Sequence, residues 1–262
     1  MSIYFSSQGV GHDVVLLHGW ALHGGVWQRV AQALAEEYCV HLPDLPGHGR
    51  SSAVSAFMLD EIVESLHNCF PLPVQVVGWS LGGLIAAHWA RRYPQHIKSL
   101  TLVASSPCFI RQPDWPHAQA AETVNQLAQQ LDQQFDTTIQ RFLALQTLGS
   151  DSAKTTLAAL RELVFAHGRP SGLLAALQLL QNTDYRPHLA DITVPTLVLA
   201  GARDALTPLA AAQTWANGVA DGNGAGIRME QGSLEVRNCS FEDNQNGILT
   251  ANFDDTELRV IN

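Results

Sequence analysis

The residues best suited to chemistry in this sequence are the five at positions 78–82, which read GWSLG. Residues 74–77 before them form an apolar, β-branched run, and residues 81–90 after them carry apolar side chains at helical spacing. This pattern predicts that Ser80 stands on a tight turn between a buried strand and a helix, with glycines where bulk is not tolerated. Such a turn exposes the serine Oγ and points the first helix amides at a developing oxyanion. An ordinary Gly/Ser turn is the alternative, and the strand and helix on either side argue against it.

A carboxylate that follows the serine along the chain is the second candidate. Residues 195–200 (PTLVLA) predict a buried strand, and Asp204 comes shortly after its end. When the serine comes first in a catalytic triad of this kind, an acid at the end of a later strand orients the histidine. The alternative is that Asp204 only caps the helix that follows it.

The histidine that would complete such a triad is missing from the expected place. All 11 histidines lie at or before His188, so none follows Asp204. His18, His23 and His48 are expected near the catalytic edge, but none has the required order along the chain. Histidines, cysteines and carboxylates show no metal-ligand spacing, so the sequence predicts no metal site and no cofactor.

Alternating strand and helix patterns surround these residues. Short apolar runs alternate with amphipathic helical patterns over roughly the first hundred residues. Such alternation predicts an α/β fold with a mostly parallel sheet and helices on both faces. The predicted strands are residues 3–5, 13–17, 38–42, 74–77, 99–104 and 195–200, and the predicted helices are residues 26–37, 59–69 and 81–90.

From residue 109 to residue 188 the alternation stops, and helical patterns follow one another. Such a helical insert between two strands predicts a cap over the sheet edge. Within it, residues 141–146 (RFLALQ) carry more apolar side chains than one buried face needs. They either form the core of the cap or line a pocket above Ser80. The predicted helices of the cap are residues 118–135, 137–148, 152–166 and 171–181.

Composition limits the classes of partner and the compartment. The 262 residues include 15 basic and 24 acidic side chains, and the net charge of −9 argues against nucleic acid or an anionic membrane as a partner. The four cysteines are scattered and indicate no disulfide framework. The N-terminal sequence has neither a signal peptide pattern nor an apolar run long enough for a membrane span, so we expect a cytoplasmic protein with reduced thiols.

Six segments, taken in order, carry a family resemblance. They are LLHGW (16–20), DLPGHGRS (44–51), GWSLGG (78–83), VASSPCF (103–109), RFLALQTLG (141–149) and the strand before Asp204. The chain thereby resembles the α/β-hydrolase superfamily and, more closely, the pimeloyl-[acyl-carrier protein] methyl ester esterases of biotin synthesis. HGW and GWSLGG indicate only the superfamily, whereas VASSPCF and FLALQT are more specific. The resemblance runs from the start of the chain to about Trp215.

This resemblance implies a role for each matching residue. Ser80 would be the nucleophile, Asp204 would orient a histidine, and the amides of Trp20 and Leu81 would form the oxyanion hole. Five residues of the cap would contact the acyl chain, namely Phe142, Leu143, Ala144, Leu145 and Gln146.

The resemblance also implies a partner. In that family a basic surface of the cap docks the acidic acyl carrier protein. Here Arg141, Lys154 and Arg161 are the candidates for such a surface, which is a thin one.

The sequence changes character beyond Trp215. Residues 219–262 contain no histidine, six asparagines and a net charge of −5, from three arginines against eight acidic residues. LEVRN at 234–238 is echoed by LRVIN at 258–262, and the GI pair at 226–227 recurs at 247–248. Such echoes are typical of a right-handed parallel β-helix, so this segment predicts two coils of a solenoid that replace the native end of a hydrolase, by gene fusion or by an assembly error.

The predicted domains follow from this change. Residues 1–108 and 189–217 are the expected α/β-hydrolase core, without its last strand, histidine loop and final helix. Residues 109–188 are the expected helical cap, and residues 218–262 the β-helix-like appendage. We expect a monomer whose strand at residues 196–200 has an uncovered edge open to association.

The sequence predicts a serine carboxylesterase that hydrolyses the methyl ester of pimeloyl-[acyl-carrier protein] through an acyl-serine intermediate. Its activity is expected to be impaired by the absence of the catalytic histidine. A broad short-chain esterase or a lactonase on the same scaffold is one alternative. A catalytically dead hydrolase that acts as a binding module is another.

Overall fold

A computed structural model describes residues 1–146, 153–201 and 204–220, together with three strands at 224–230, 233–237 and 258–261. Within these ranges the chain forms one nine-stranded sheet with helices around it. In the same part of the chain, every helix is too short or too polar to cross a bilayer.

Six strands form the first part of the sheet. Strand β3 pairs in parallel with β2, and β2, β4, β5 and β6 follow in parallel register, while β1 runs antiparallel along the outer edge of β3. The central strands are apolar and β-branched because both of their faces are covered. The bounds are β1 (Phe5–Gln8), β2 (His12–Leu17), β3 (Tyr38–Pro43), β4 (Val74–Trp79), β5 (Ile97–Val103) and β6 (Thr196–Gly201).

Helices cover both faces of this sheet. Side chains of β2 alternate between the two faces, so that Val14 and Leu16 pack in a cluster with Ala31 while Val15 and Leu17 face the larger core. That core contains Trp89, which is fully buried. The covering helices are α1 (Gln28–Leu34), α2 (Leu59–Cys69) and α3 (Leu81–Arg92).

Four helices lie between β5 and β6, in the stretch where the sequence predicts a cap. They are α4 (Ala121–Gln133), α5 (Phe135–Gln146), α6 (Ala153–Phe165) and α7 (Leu173–Asn182), and α8 (Leu209–Gly218) follows β6. Their apolar residues join the main core through Leu131, Leu143 and Leu177. The helices therefore rest directly on the core, and the division into core (1–108, 189–217) and cap (109–188) stays a prediction.

The sheet continues beyond β6, which corrects the prediction of an uncovered edge. Strand β7 (Gly224–Glu230) pairs in parallel with β6 along its full length, from Thr196 opposite Gly224 to Gly201 opposite Met229. The unpaired amides and carbonyls of an edge strand accept such a partner readily. The edge of β6 is therefore occupied.

The β-helix-like appendage predicted for residues 218–262 is not supported. Strand β8 (Ser233–Arg237) runs antiparallel to β7, and β9 (Leu258–Ile261) runs parallel to β8, in the same sheet as the preceding strands. Coils of a solenoid would instead stack parallel strands above one another. The remaining positions of that predicted segment beyond residue 220 lie outside the described residues.

The mostly parallel α/β architecture predicted from the sequence is confirmed. The carboxyl ends of β2, β4, β5 and β6 meet at one edge of the sheet because these strands are parallel. Loops that follow those strands therefore converge on a single site.

Candidate active site

Ser80 occupies a strained turn between β4 and α3. Its φ of 54° and ψ of −114° lie where residues with a side chain are rarely found. The Ser80 amide donates to the Val103 carbonyl at 2.9 Å, and the Ser80 carbonyl accepts from the Gly83 amide at 2.9 Å. Ser105 Oγ donates to the same carbonyl at 2.8 Å. Neighbouring strand and helix therefore hold the serine in this conformation.

The glycines on either side of Ser80 are required by close backbone approach. A Cβ added to Gly78 would lie 2.3 Å from the carbonyl oxygen of Gly82. A Cβ added to Gly82 would lie 2.5 Å from the carbonyl oxygen of Leu17. Both distances are far inside van der Waals contact, so the turn tolerates only glycine at these positions.

The loop that follows β2 runs beside Ser80. A Cβ added to Gly19 would lie 3.5 Å from the Cβ of Ser80. The indole N–H of Trp20 donates to the Leu173 carbonyl at 2.9 Å, which ties this loop to α7. Trp20 lines the same pocket as Ser80. The roles of the Trp20 and Leu81 amides as oxyanion donors stay a prediction, which this close approach of the loop favours.

Asp204 also lines that pocket, after the end of β6. Its Oδ1 accepts the amides of Leu206 and Thr207, both at 2.8 Å, and its Oδ2 accepts the Thr207 hydroxyl at 2.8 Å. These donors fix the orientation of the carboxylate. Because each carboxylate oxygen has two lone pairs, Oδ2 keeps one that could accept an imidazole N–H.

The pocket above Ser80 has a volume of about 300 Å³ and a mainly apolar wall. Helix α5 contributes one face to it through Arg141, Phe142, Leu145 and Gln146. The rest of the wall comes from the loop after β5, from α4 and from α7, including Phe109, Ile110, Val124, Leu127, Leu177 and Leu180. An acyl chain of moderate length fits a site of this kind.

The predicted acyl-binding stretch divides according to the helix period. Phe142, Leu145 and Gln146 line the pocket, whereas Leu143 is 0% exposed and packs in the core, and Ala144 does not line the pocket. Residues one position apart on a helix point in directions about 100° apart, so a continuous run cannot face one pocket. The resemblance implies that Leu143 and Ala144 contact the acyl chain. The geometry of α5 instead favours Phe142, Leu145 and Gln146 for that contact.

His18, the histidine that directly follows β2, is held by hydrogen bonds to the backbone. His18 is fully buried, its Nδ1 donates to the Gly19 carbonyl at 2.8 Å, and its Nε2 accepts the Leu45 amide at 2.8 Å. Burial holds the pKa of His18 well below its usual value. With both ring nitrogens engaged, His18 has no lone pair left to receive a proton from Ser80.

Neither His23 nor His48 lines the pocket, and each makes a hydrogen bond to a backbone carbonyl. His23 Nδ1 accepts the Gly25 amide at 3.1 Å, and its Nε2 donates to the Leu163 carbonyl at 3.1 Å. His48 is fully buried, its Nδ1 donates to the Pro46 carbonyl at 3.0 Å, and burial lowers its pKa to about 4. Among the described residues that line the pocket, none is a histidine.

The basic residues implied as a carrier-protein surface lie on the helices above the pocket. Arg141 of α5 is exposed at the pocket wall, and Lys154 and Arg161 are exposed on α6. Sequence reasoning did not single out Thr207, although it holds Asp204, nor Leu177 and Leu180. Those residues share ordinary helix and loop patterns with many others, so only the fold identifies them.

Known proteins resemble this chain in sequence. The family described as alpha/beta hydrolase fold matches residues 14–222. A pimeloyl-[acyl-carrier protein] methyl ester esterase from Chromobacterium violaceum is 53% identical over 221 residues, which cover 84% of this chain and 87% of the relative. The protein of the same name from Vibrio vulnificus is 41% identical over 213 residues, with 80% and 83% covered.

The fold is also found among solved structures. An esterase from Exiguobacterium antarcticum superimposes with a TM-score of 0.78 at 22% identity, and the match covers 87% of this chain and 85% of that one. At 22% identity the structural likeness shows the fold alone. The sequence relatives, at 53% and 41% identity, also show the family. The chain therefore belongs to the α/β-hydrolase fold family and, within it, to the pimeloyl-[acyl-carrier protein] methyl ester esterases.

Proposed function

We propose that this chain descends from, and retains the substrate site of, a carboxylesterase that removes the methyl ester of pimeloyl-[acyl-carrier protein] in biotin biosynthesis. The observation that carries this proposal is that Ser80 and Asp204 line one mainly apolar pocket in a chain 53% identical to an esterase of that name.

The chemistry would proceed in two balanced steps. Ser80 Oγ attacks the ester carbonyl, its proton passes to a base and then to the departing methoxide, and methanol leaves behind an acyl-serine. Water then attacks the acyl-serine, which restores the hydroxyl of Ser80 and releases one proton and the carrier-bound pimeloyl chain with a free carboxylate at its end. Amides of Trp20 and Leu81 would stabilise the oxyanion in both steps.

The pocket supports an acyl substrate with an apolar chain. Phe142, Leu145, Leu177 and Leu180 offer apolar surface along the path away from Ser80. Exposed Arg141, Lys154 and Arg161 would meet the acidic carrier protein by charge complementarity, which speeds encounter more than it adds affinity. Because the chain as a whole carries a net charge of −9, this attraction is confined to that surface.

The catalytic base is the weak point of the proposal. His18 and His23 engage both ring nitrogens with the backbone, and no histidine of the sequence follows His188. We therefore infer that esterase turnover is impaired in this chain. The same observation favours a second candidate function, a hydrolase that binds acyl groups without turning them over.

We also propose a monomer in the cytoplasm. Free thiols at Cys39, Cys69 and Cys108 suit a reducing compartment. Pairing of β7 along β6 removes the open edge that would favour association.

The test compares this chain with a variant in which the residues after Trp215 are replaced by the strand, histidine loop and helix of an intact relative. Both are assayed with pimeloyl-[acyl-carrier protein] methyl ester and with p-nitrophenyl esters, and Ser80→Ala is the control in each. Because a triad without its base loses most of its rate, we expect kcat of this chain to be lower by a factor on the order of 10⁶.

Each outcome separates the candidates. Turnover of the carrier-bound ester by the restored chain alone supports an impaired esterase, and turnover of only short esters supports the broad esterase. Equal turnover in both chains, abolished by Ser80→Ala, would contradict the impairment. Tight binding of the acyl carrier without turnover in either chain supports the binding module.

A further inference from the structure

Three side chains that can bind a metal ion meet near the amino-terminal ends of β2 and β3. Asp13 lies on β2 directly opposite Cys39 of β3, and His41 stands two residues further along β3. Residues two apart on a strand share a face, so all three side chains project to one side of the sheet. Their ligand atoms all lie within 4.8 Å of one another. The spacing of residues along the sequence did not reveal this cluster, because Asp13 is 26 positions from Cys39 and only the parallel pairing of β2 with β3 brings them together.

Hydrogen bonds already orient two of these groups. His41 Nε2 lies 2.8 Å from Asp13 Oδ1, and His41 Nδ1 lies 2.7 Å from the hydroxyl of Ser7, which is opposite His41 on β1. Burial, with the charge of Asp13 as a further cause, raises the pKa of the Cys39 thiol. The thiol is therefore protonated at neutral pH and faces the carboxylate.

We propose that Asp13, Cys39 and His41 form a binding site for a thiophilic divalent cation of the Zn²⁺ class. Zinc takes sulfur, imidazole nitrogen and carboxylate oxygen together, at about 2.0 to 2.3 Å, in tetrahedral geometry. Three ligands come from the protein, and water completes the site on the side of Asp13, whose side chain is 27% exposed. A tetrahedron with such bonds sets its ligand atoms roughly 3.3 to 3.8 Å apart. The ligand atoms of the three side chains already lie within 4.8 Å of one another.

Ser7 permits the tautomer that metal binding needs. A metal on His41 Nε2 requires the ring proton to sit on Nδ1, where it needs an acceptor. A serine hydroxyl both donates and accepts, so Ser7 serves either tautomer of His41 without moving. Cys39 releases one proton to solvent when its thiolate binds the cation.

This site is separate from the pocket of Ser80. Asp13 precedes Leu17 by four residues on β2, a distance of about 13 Å along a strand, and the catalytic loop begins after Leu17. A bound cation would join β1, β3 and β2, the outer edge of the sheet, through Ser7, Cys39 and Asp13. Its expected effect is therefore on the stability of the fold and not on esterase chemistry.

The test adds zinc chloride alone to the purified, metal-stripped full chain. Calorimetry should show one equivalent bound with a Kd in the micromolar range or below, and the Tm should rise. Release of one proton per zinc should be seen with a pH indicator. Cobalt(II), a spectroscopic substitute for zinc, should give the absorption band of thiolate-to-cobalt charge transfer.

Variants identify the ligands. Cys39→Ser should weaken zinc binding at least tenfold and abolish the charge-transfer band, and Asp13→Asn should weaken binding as well. Cys69→Ser is the matched control, since Cys69 is also a partly buried free thiol but lies on α2. His96→Gln tests a competing site, because the rings of His67 and His96 lie 4.4 Å apart.

Either of two results would overturn the proposal. One is the absence of a charge-transfer band with cobalt in the unmodified chain, which needs no variant to fold. The other is zinc binding that survives Cys39→Ser and is lost in His96→Gln or Cys69→Ser.

Discussion

Ser80 holds a backbone conformation that costs free energy, on the order of 1 to 3 kcal/mol for a residue with a side chain. Four hydrogen bonds offset that cost: the Ser80 amide donates to β5, and the Ser80 carbonyl accepts from two amides of α3 and from Ser105. Close approach of Gly82 to the Leu17 carbonyl then fixes the helix start against β2. Ser80 is held in place by these contacts before any substrate arrives, as its proposed role of nucleophile requires.

The first prediction concerns the reactivity of Ser80. A fluorophosphonate probe should label Ser80 slowly in this chain, because without a nearby base the hydroxyl stays protonated and is a weak nucleophile. Peptide mass mapping identifies the labelled residue, and Ser80→Ala should abolish the label. Rapid labelling of Ser80 would mean that a base is within reach, and labelling at another serine would contradict the role given to the turn.

Helix α5 shows how an element divides its residues between site and core. Phe142 and Leu145 face the pocket, Leu143 faces the core, and Arg141 lies at the exposed rim. This short stretch of helix therefore supplies apolar pocket surface, packing beneath it and an exposed charge. The effect of a substitution depends on which of these faces it changes.

The second prediction uses two leucines of α5 in the chain with a restored C-terminus. Leu145→Ala should lower kcat/KM more for long acyl esters than for acetyl esters, since each lost methylene contact is worth about 1 kcal/mol. Its effect on stability should be small, because Leu145 is 52% exposed. Kinetics over a series of acyl lengths, with urea unfolding, measure both effects.

Leu143→Ala is the matched comparison. Leu143 is fully buried, so its truncation should lower the free energy of unfolding by about 2 to 5 kcal/mol without a preference for acyl length. If Leu143→Ala changed the acyl preference and Leu145→Ala did not, the assignment of faces on α5 would be wrong.

Local patterns predicted some elements and failed for others. Helix α2 was predicted at residues 59–69 and is observed at Leu59–Cys69, because its buried residues Ile62, Val63 and Leu66 recur at helical spacing. Strand β1 was predicted at residues 3–5 but spans Phe5–Gln8. Its sequence FSSQ is mostly polar, and only antiparallel pairing with β3 makes it a strand.

The site followed the same division. Ser80 and Asp204 were found because each follows a recognisable strand, and the structure brings them to one pocket. The side of α5 that Leu143 faces was not predictable from local sequence, and neither was the contact of His18 with the Leu45 amide. Both depend on contacts between segments far apart in the chain, as does the pairing of β7 with β6.

At the scale of the whole molecule, the parallel sheet separates the candidate active site from the proposed metal site. The carboxyl ends of its strands carry the loops of Ser80 and Asp204, and the amino ends of β2 and β3 carry Asp13 and Cys39. In a parallel sheet the carboxyl ends of the strands lie at one edge and the amino ends at the opposite edge, so the two groups of residues lie apart. Substitutions at Asp13 or Cys39 are therefore expected to change the stability of the fold without changing the pocket of Ser80.

The last prediction concerns stability at acidic pH. Burial lowers the pKa of His48 from 6.5 to about 4 in the folded chain, and it lowers the pKa of His18 in the same direction. The unfolded chain, with ordinary imidazole pKa values near 6.5, therefore binds protons that the folded chain refuses. Stability supplied by the neutral, buried rings is complete above pH 6.5 and is lost as the pH falls from there towards 4.

Each such histidine should add a slope of about 1.4 kcal/mol per pH unit to the free energy of unfolding across that window. Urea unfolding at several pH values measures the slope, and the nearby His23, whose pKa burial also lowers, is present in both proteins. His48→Gln removes one titrating group, so the slope of the free energy of unfolding against pH should decrease by the contribution of one histidine. Parallel slopes in the two proteins would show that His48 is protonated in the folded chain, and its burial would then not control acid stability.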